Sequence, residues 1–389
     1  MEGLKDYKGR EQAYIKHRLL EAYLKRLFMI VGQFQESICY VDCFAGPWEE
    51  NREDLMDTSI GISLKIMADC QEALGRMGAK VRCRALYIEK SRRRHAKLQA
   101  FLGGNTPSGI VAESFCGEFF DLRRQILEWC RPDEFTFFFI DPKGWKKVVE
   151  VPTLKPLLQR PRSEFLINFM YDFILRTHTQ KEFEQDMGAI FGQVPDTGGM
   201  LPKDRERHLL TLYREHLKAY MPETGGQPRS AWVPILDPGI DRTKYELVYL
   251  TRSAKGIQVF MDASDKLDLV QRRVRACTKQ ERAEEKTGQW SLFGAEATVP
   301  DSDGRVDLEE VKDYWIKNLA PEPQYFGLAE LADMLEETGW FESDLQKAFG
   351  ELLAEGRVEN LDMERKRRSR FVHFDENRKE GERLRRLVT

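Results

Sequence analysis

The chain has 389 residues, of which 41% are hydrophobic and 32% charged, and it carries a formal net charge of -3 at pH 7. These values indicate a globular protein with a large core and a smaller domain, and they exclude one coated in basic residues. The seven cysteines are scattered, without a CxxC pair, which argues against a disulfide framework or a tetrahedral zinc site and predicts a cytoplasmic location. No apolar run approaches the roughly 18 residues that cross a bilayer, so no membrane association is expected.

Strand-like and helical segments alternate along the first part of the chain. Residues 10–36 carry apolar side chains at helical spacing and predict an amphipathic helix that covers a sheet. Apolar runs separated by helical segments predict strands at 38–41, 85–88, 109–112, 135–140 and 165–169. This alternation predicts a doubly wound, Rossmann-like parallel sheet. The runs 231–236 and 245–251 lie too close together for a helical crossover, so we expect antiparallel neighbours.

An acid follows three of the predicted strands, namely Asp42, Glu89 and Asp141. Ligands of open α/β sheets bind beyond the carboxyl ends of the strands, so these carboxylates should meet at one site. The first acid opens the turn of Tyr40–Pro47 (YVDCFAGP), whose small residues let backbone N–H groups approach a nucleotide-like ligand. The pattern favours a class I sheet that binds S-adenosylmethionine (SAM).

The last eighty residues have a different pattern. A helix over 256–276 should close the first domain, and the polar stretch that follows is typical of a linker. Three helices and two short strands, with basic residues between the strands, then predict a winged-helix-like domain; the expected segments are 308–319, 328–337, 342–355, 358–361 and 370–374. The predicted domains are therefore 1–277, a linker at 278–307, and 308–389.

A family resemblance rests on motifs in a fixed order. YVDCFAGP, TSIGISL, LYIEK, FFFIDPKGW, FLINF and YELVYLTRSAKGIQVFMD, within residues 10–275, resemble the three-Cys-motif partner protein (TcmP) family. That family is similar to class I methyltransferases and is named for its association with a separate three-cysteine protein. The D-x-F-A-G-P and D-P-x-x pair also resembles adenine-N6 nucleic-acid methyltransferases.

The resemblance implies a SAM site. Asp42, Ala45 and Gly46 would contact its methionine end, with Phe44 and Pro47 in the same cofactor-binding turn. Glu89 would accept hydrogen bonds from the ribose hydroxyls. Glu118, or alternatively Glu113, would lie near the adenine amino group, and Asp141 would border both cofactor and target.

The implied catalytic segment departs from the amino-methyltransferase pattern. Those enzymes use D/N-P-P-Y/F/W, in which the acid and a carbonyl hold the target amine and the aromatic residue stacks on the base. Here Asp141 and Pro142 are followed by Lys143 and Gly144. Trp145 either substitutes as the stacking platform or belongs to the core.

Two functions follow from these residues. The intact acids favour a SAM-dependent methyltransferase that acts on nucleic acid together with a partner protein. The altered segment favours a non-methylating subunit that binds SAM or a nucleotide and serves a three-Cys-motif protein.

Two further partner hypotheses concern the C-terminal part. Gln289–Phe293 (QWSLF) resembles the peptide by which bacterial proteins dock onto the replication sliding clamp, although its apolar residues would more often pack onto the domain itself. The basic run 365–368 would contact nucleic-acid phosphates as a wing tip. The acidic helix 342–355 favours protein docking over groove reading.

Overall fold

The computed structural model describes residues 4–7, 9–46, 55, 57–142, 144, 147–240, 242–287, 306–363, 370–374 and 381–387. It divides into two compact units, Met1–Arg252 and Ser253–Thr389. The helix predicted over 256–276 belongs to the second unit and runs on to Thr287, into the segment predicted as a linker. The domain limits drawn from the sequence otherwise stay predictions. Within the described part of the chain, no helix is long and apolar enough to cross a membrane.

The first unit is built on a sheet of seven strands. They are β1 (Ser37–Asp42), β2 (Arg82–Glu89), β3 (Ile110–Cys116), β4 (Phe135–Ile140), β5 (Ser163–Phe169), β6 (Arg229–Leu236) and β7 (Thr243–Thr251). Their order is β3-β2-β1-β4-β5-β7-β6. The first five pair in parallel, whereas β7 is antiparallel to both β5 and β6. This mixed α/β sheet confirms the predicted doubly wound class, including the antiparallel ending that class I methyltransferases share.

Helices connect these strands. They are α1 (Glu11–Val31), α2 (Ser59–Arg76), α3 (Arg92–Asn105), α4 (Phe119–Trp129), α5 (Val151–Leu158), α6 (Tyr171–Thr177), α7 (Glu184–Phe191) and α8 (Pro202–Lys218), with 3-10 turns at Leu4–Tyr7 and Lys181–Phe183. Thr58 caps α2, because its hydroxyl accepts a hydrogen bond from the N–H of Gly61 at 3.3 Å. This cap fixes the start of α2 close in space to the turn that follows β1.

The two faces of the sheet differ in chemistry. One face is apolar, with Val41, Phe138 and Ile167 fully buried in a continuous core. On the other face, the hydroxyl of Tyr23 in α1 lies 2.7 Å from a carboxylate oxygen of Glu164 and 2.6 Å from the hydroxyl of Tyr249. Burial raises the pKa of Glu164, and these hydroxyl partners offset part of that shift. The network therefore fastens α1 across β5 and β7.

The second unit has the order of a winged helix. Its elements are α9 (Ala254–Thr287), α10 (Leu308–Asn318), β8 (Gln324–Phe326), α11 (Leu328–Thr338), α12 (Glu342–Ala354), β9 (Val358–Asn360) and β10 (Glu382–Arg386). The strands form an antiparallel sheet in the order β8-β10-β9. Three helices, α10 to α12, and this small sheet confirm the predicted winged-helix domain.

One strand of the predicted hairpin is wrong. The partner of β9 is β10, and the segment 370–374 is not a strand. The side-chain amide of Gln346 in α12 replaces the strand pairing, since it donates to the carbonyl of Val372 at 2.6 Å and accepts from the N–H of the same residue at 3.0 Å. The buried side chains of Val372 and Phe374 pack into the unit without a ladder.

Candidate functional site

A cavity of about 570 Å³ opens at the carboxyl edge of the sheet in the first unit. This volume lies within the range of small-molecule and cofactor sites. Six of the residues predicted for the site line it, namely Phe44, Gly46, Glu89, Glu118, Asp141 and Pro142. The sheet thus brings together residues from the ends of β1, β2 and β4 and the start of α4, as expected for ligands of doubly wound sheets.

The other predicted residues lie elsewhere. Asp42 and Ala45 are buried behind the cavity wall, and Glu113 is exposed on the edge strand β3. Pro47, Lys143 and Trp145 lie outside the described residues, as do the segments 289–293 and 365–368. Their roles stay predictions.

Asp42 organises the turn after β1. Its Oδ1 accepts from the N–H of Phe44 at 3.0 Å, and its Oδ2 accepts from the hydroxyl of Ser59 at 2.5 Å. Burial raises the pKa of Asp42 to about 6, against the opposing effect of these two donors. The carboxylate therefore holds the turn to the start of α2.

Backbone hydrogen bonds complete this turn. The N–H of Cys43 donates to Phe139 in β4 at 2.9 Å, and the N–H of Ala45 donates to Ile88 in β2 at 2.8 Å. The N–H of Gly46 donates to Phe44 at 2.9 Å. Because the turn is bonded to both neighbouring strands, the side chain of Phe44 and the backbone of Gly46 are held in place at the cavity wall.

Glu89 presents a carboxylate to the cavity from the end of β2. Its Oε1 accepts from the N–H of Ser91 at 2.7 Å, which fixes the orientation of the side chain. Among the described residues, no partner is found for Oε2. Close by, Lys90 and Glu118 form an ion pair at 3.2 Å, but their side chains are 64% and 40% exposed, so the pair contributes little to stability.

Asp141 is held by two side chains that sequence reasoning missed. Its Oδ2 forms an ion pair with Nζ of Lys16 in α1, and its Oδ1 accepts from Nδ2 of Asn168 at 2.7 Å, at the end of β5. Lys16 is only 9% exposed, and its ammonium lies 5.8 Å from the ring centre of Tyr245. A lysine on the apolar stripe of an amphipathic helix was the signal available in the sequence.

The sheet order and the cavity at its carboxyl edge define a methyltransferase-like α/β domain, followed by a winged-helix domain. No group of three or more His, Cys, Asp or Glu side chains in the described ranges could hold a metal ion. The cavity is lined by carboxylates, by Lys90 and Arg94, and by apolar side chains.

In a comparison with known proteins, the match to a family model falls in the second unit. Residues 279–365 match the family model of a GMT-like wHTH domain. Among solved structures, protein LPL1258 from Legionella pneumophila, described as DUF519, is 11% identical with a TM-score of 0.34, covering 62% of this chain and 85% of its own. Loganic acid methyltransferase with SAH is 10% identical with a TM-score of 0.27, covering 100% of this chain and 98% of its own. Similarities this low carry no argument about function.

No curated protein matches the chain in sequence. The resemblance to the three-Cys-motif partner family accordingly stays a prediction. What is established is a methyltransferase-like sheet joined to a winged-helix domain.

Proposed function

We propose that the first unit binds SAM and transfers its methyl group to a nucleic acid. The observation that carries this proposal is the carboxylate of Glu89, oriented by the N–H of Ser91 within a cavity at the carboxyl edge of the sheet. A carboxylate at the end of the second strand is suited to the two hydroxyls of a ribose, because each of its oxygens accepts a hydrogen bond.

The rest of the cavity fits the same ligand. Ile88, Phe119 and Met170 supply apolar wall for a purine ring, and Glu118 supplies an acceptor for an amino group. Phe44 and Gly46 would border the methionine end. When bound, SAM supplies a methyl group made electrophilic by its sulfonium charge.

The winged-helix domain supports a nucleic-acid substrate, since this domain class often binds duplexes. Its helix α12 is acidic, but two of its acids, and Glu355 directly after it, have cationic partners. Glu342 pairs with Arg370 at 3.1 Å, and Glu351 and Glu355 pair with Lys312 at 2.7 and 2.9 Å. Lys312 also pairs with Glu309, so the pairing offsets only part of the repulsion of phosphates that the sequence of α12 implies.

A second candidate function is a SAM-binding subunit without transfer activity. Both oxygens of Asp141 already accept hydrogen bonds, whereas the amino-methyltransferase pattern needs this acid to hold the target amine. Under this candidate, the chain serves a partner such as a three-Cys-motif protein. A sliding-clamp contact through 289–293 is a separate, untested partner hypothesis.

Calorimetry with SAM tests the proposed cofactor. We expect Glu89→Ala to weaken SAM binding by about 1–3 kcal/mol, because the ribose hydroxyls lose their acceptor. The matched control is Glu113→Ala, which removes an exposed carboxylate from β3 outside the cavity. A wild-type protein that gives no heat with millimolar SAM, or equal affinities for wild type and Glu89→Ala, would overturn the SAM site.

Methyl transfer separates the two candidate functions. With labelled SAM and total nucleic acid, the methyltransferase candidate predicts incorporation in wild type and none in Asp141→Ala, with SAM binding preserved in both. SAM binding without incorporation would favour the non-methylating subunit.

A further inference from the structure

We propose that the basic face of α3, formed by Lys90, Arg93, Arg94 and Lys97, binds the phosphate backbone of a nucleic acid at the mouth of the cavity. This inference rests on the proposed function and names the surface of the first unit that its substrate contacts. It starts from the sequence of α3, in which four of the first six residues are Arg or Lys. No acid occurs among its 14 residues, although the whole chain has slightly more acids than bases.

The helical members of this face lie on one side of α3. Arg93 and Lys97 are four residues apart, and Arg94 comes three before Lys97, so their side chains are neighbours on the helix surface. Leu98 and Leu102 are the buried residues of α3, and the helix packs on β2 and β3. Arg93 and Lys97 are exposed and Arg94 is half-buried, so the charged groups reach solvent while the leucines hold the helix to the sheet.

The basic face begins at the cavity. Lys90 and Arg94 line it, together with Glu89 at the end of β2. Ser91 caps α3, because its hydroxyl accepts from the N–H of Arg94 at 3.5 Å, so the helix starts directly after this strand end. A phosphate bound to Lys90 or Arg94 would therefore lie at the cavity mouth, and the backbone would continue along the rest of the face.

The charge of this face is not neutralised within the described part of the chain. There, Lys90 pairs with Glu118 across the surface, and no ion pair is found for the other three members. In α9, by contrast, Lys266 and Arg272 each pair with an acid four residues earlier, at 3.2 and 3.0 Å. Cations in the first turn of a helix also oppose its dipole, so the arrangement in α3 costs stability. Charge that the fold itself does not use indicates an anionic partner.

A phosphate backbone fits this face better than an acidic protein or an anionic membrane. Its charges repeat along a line, as the cations of the face do, and a guanidinium group binds phosphate oxygens with two hydrogen bonds. A protein contact has an apolar or aromatic centre, and a helix on a membrane buries an apolar face. The helix α3, which is described throughout, carries no exposed large apolar side chain, so it lacks what either of these partners requires.

Fluorescence anisotropy of the full chain tests this face, using two labelled single-stranded DNA oligonucleotides of unrelated sequence. The variant Arg93→Gln/Lys97→Gln removes two cations that do not line the cavity. We expect the slope of log affinity against log salt to become less negative by about 1.4, the value for two lost phosphate contacts on a single strand. The change should be the same for both sequences, because phosphate contacts carry no sequence information. It corresponds to about 25-fold weaker binding at 0.1 M salt when the two proteins bind equally at 1 M.

The matched control is Lys25→Gln/Lys65→Gln, which removes two exposed lysines from α1 and α2. It changes the net charge by the same amount, so we expect it to keep the salt slope of wild type. This comparison separates contacts along α3 from a general effect of charge.

An unchanged slope for Arg93→Gln/Lys97→Gln, an equal change in the control, or no binding of either oligonucleotide by wild type would overturn the inference. Tighter binding of wild type to poly-L-glutamate or to phosphatidylserine vesicles than to DNA would do the same, since α3 would then face an acidic protein or a membrane. Failure of wild type to bind SAM would instead overturn the proposed function, and the salt slopes would still decide the role of α3.

Discussion

The buried carboxylate of Asp42 should make the stability of the protein depend on pH in a defined direction. Its pKa is raised from an ordinary 3.8 to about 6, chiefly by burial. Between these two values the folded state holds a proton that the unfolded state has released. The free energy of unfolding therefore falls as pH rises through this window, and Asp42 is destabilising above it.

Asp42→Asn removes this titration and keeps the shape of the side chain. Its amide oxygen can still accept from the N–H of Phe44, and its NH₂ group can donate to Ser59. From the two pKa values, the stability of the variant relative to wild type should increase by about 2 kcal/mol between pH 4.5 and pH 7.5.

Chemical denaturation of the full chain at several pH values measures this difference. The matched control is Asp69→Asn, which removes an exposed acid from α2. A constant difference in stability between Asp42→Asn and wild type across this pH window would show that folding does not raise the pKa of Asp42.

Two further predictions concern packing and use the same denaturation assay. Arg160→Lys should lower the free energy of unfolding by about 2–5 kcal/mol. A lysine cannot reproduce the planar fork of the largely buried Arg160, which donates to three carbonyls and to the hydroxyl of Thr136. A loss below 1 kcal/mol would contradict this. Trp315→Ala should cost about 3–5 kcal/mol, since this fully buried ring packs against Phe326 and Phe349 and its Nε1 donates to Leu345; an unchanged transition would contradict it.

The parallel strands of the first unit could be predicted because burial on both faces leaves a clear trace in the sequence. β4 is apolar at every position except Thr136, and an acid marks its end. The edge strand β3 was placed at 109–112 but extends to Cys116. The second half of this edge strand is partly open to solvent and carries polar residues such as Glu113 and Ser114, so it lacks the apolar run by which a strand is recognised in a sequence.

Other features depended on information that a local pattern does not contain. The polar residues up to Thr287 resemble a linker in hydropathy, yet Lys, Gln, Glu, Arg and Ala are strong helix formers, and α9 continues through them. The strand β8 is only three residues long and gives no alternation to detect.

The candidate site shows the same limit. Glu89 and Asp141 were found because each ends its own strand. Lys16 was missed as a partner because it lies 125 residues before Asp141, and only the fold brings the two together. The contact of Asp42 with the ligand stays a prediction; its bond to the hydroxyl of Ser59 could not be read from the sequence, because the two residues are 17 positions apart.

The fastening of α1 across β5 and β7 also sets an order of events during synthesis. Tyr23 and Tyr249 are 226 residues apart, so α1 leaves the ribosome long before its partners exist. At a synthesis rate of about 5–20 residues per second, the apolar face of α1 waits about 10–45 s for β7. During that interval α2 and Phe137 of β4 can already cover part of this face, and the hydroxyl of Tyr23 still lacks its partner on β7.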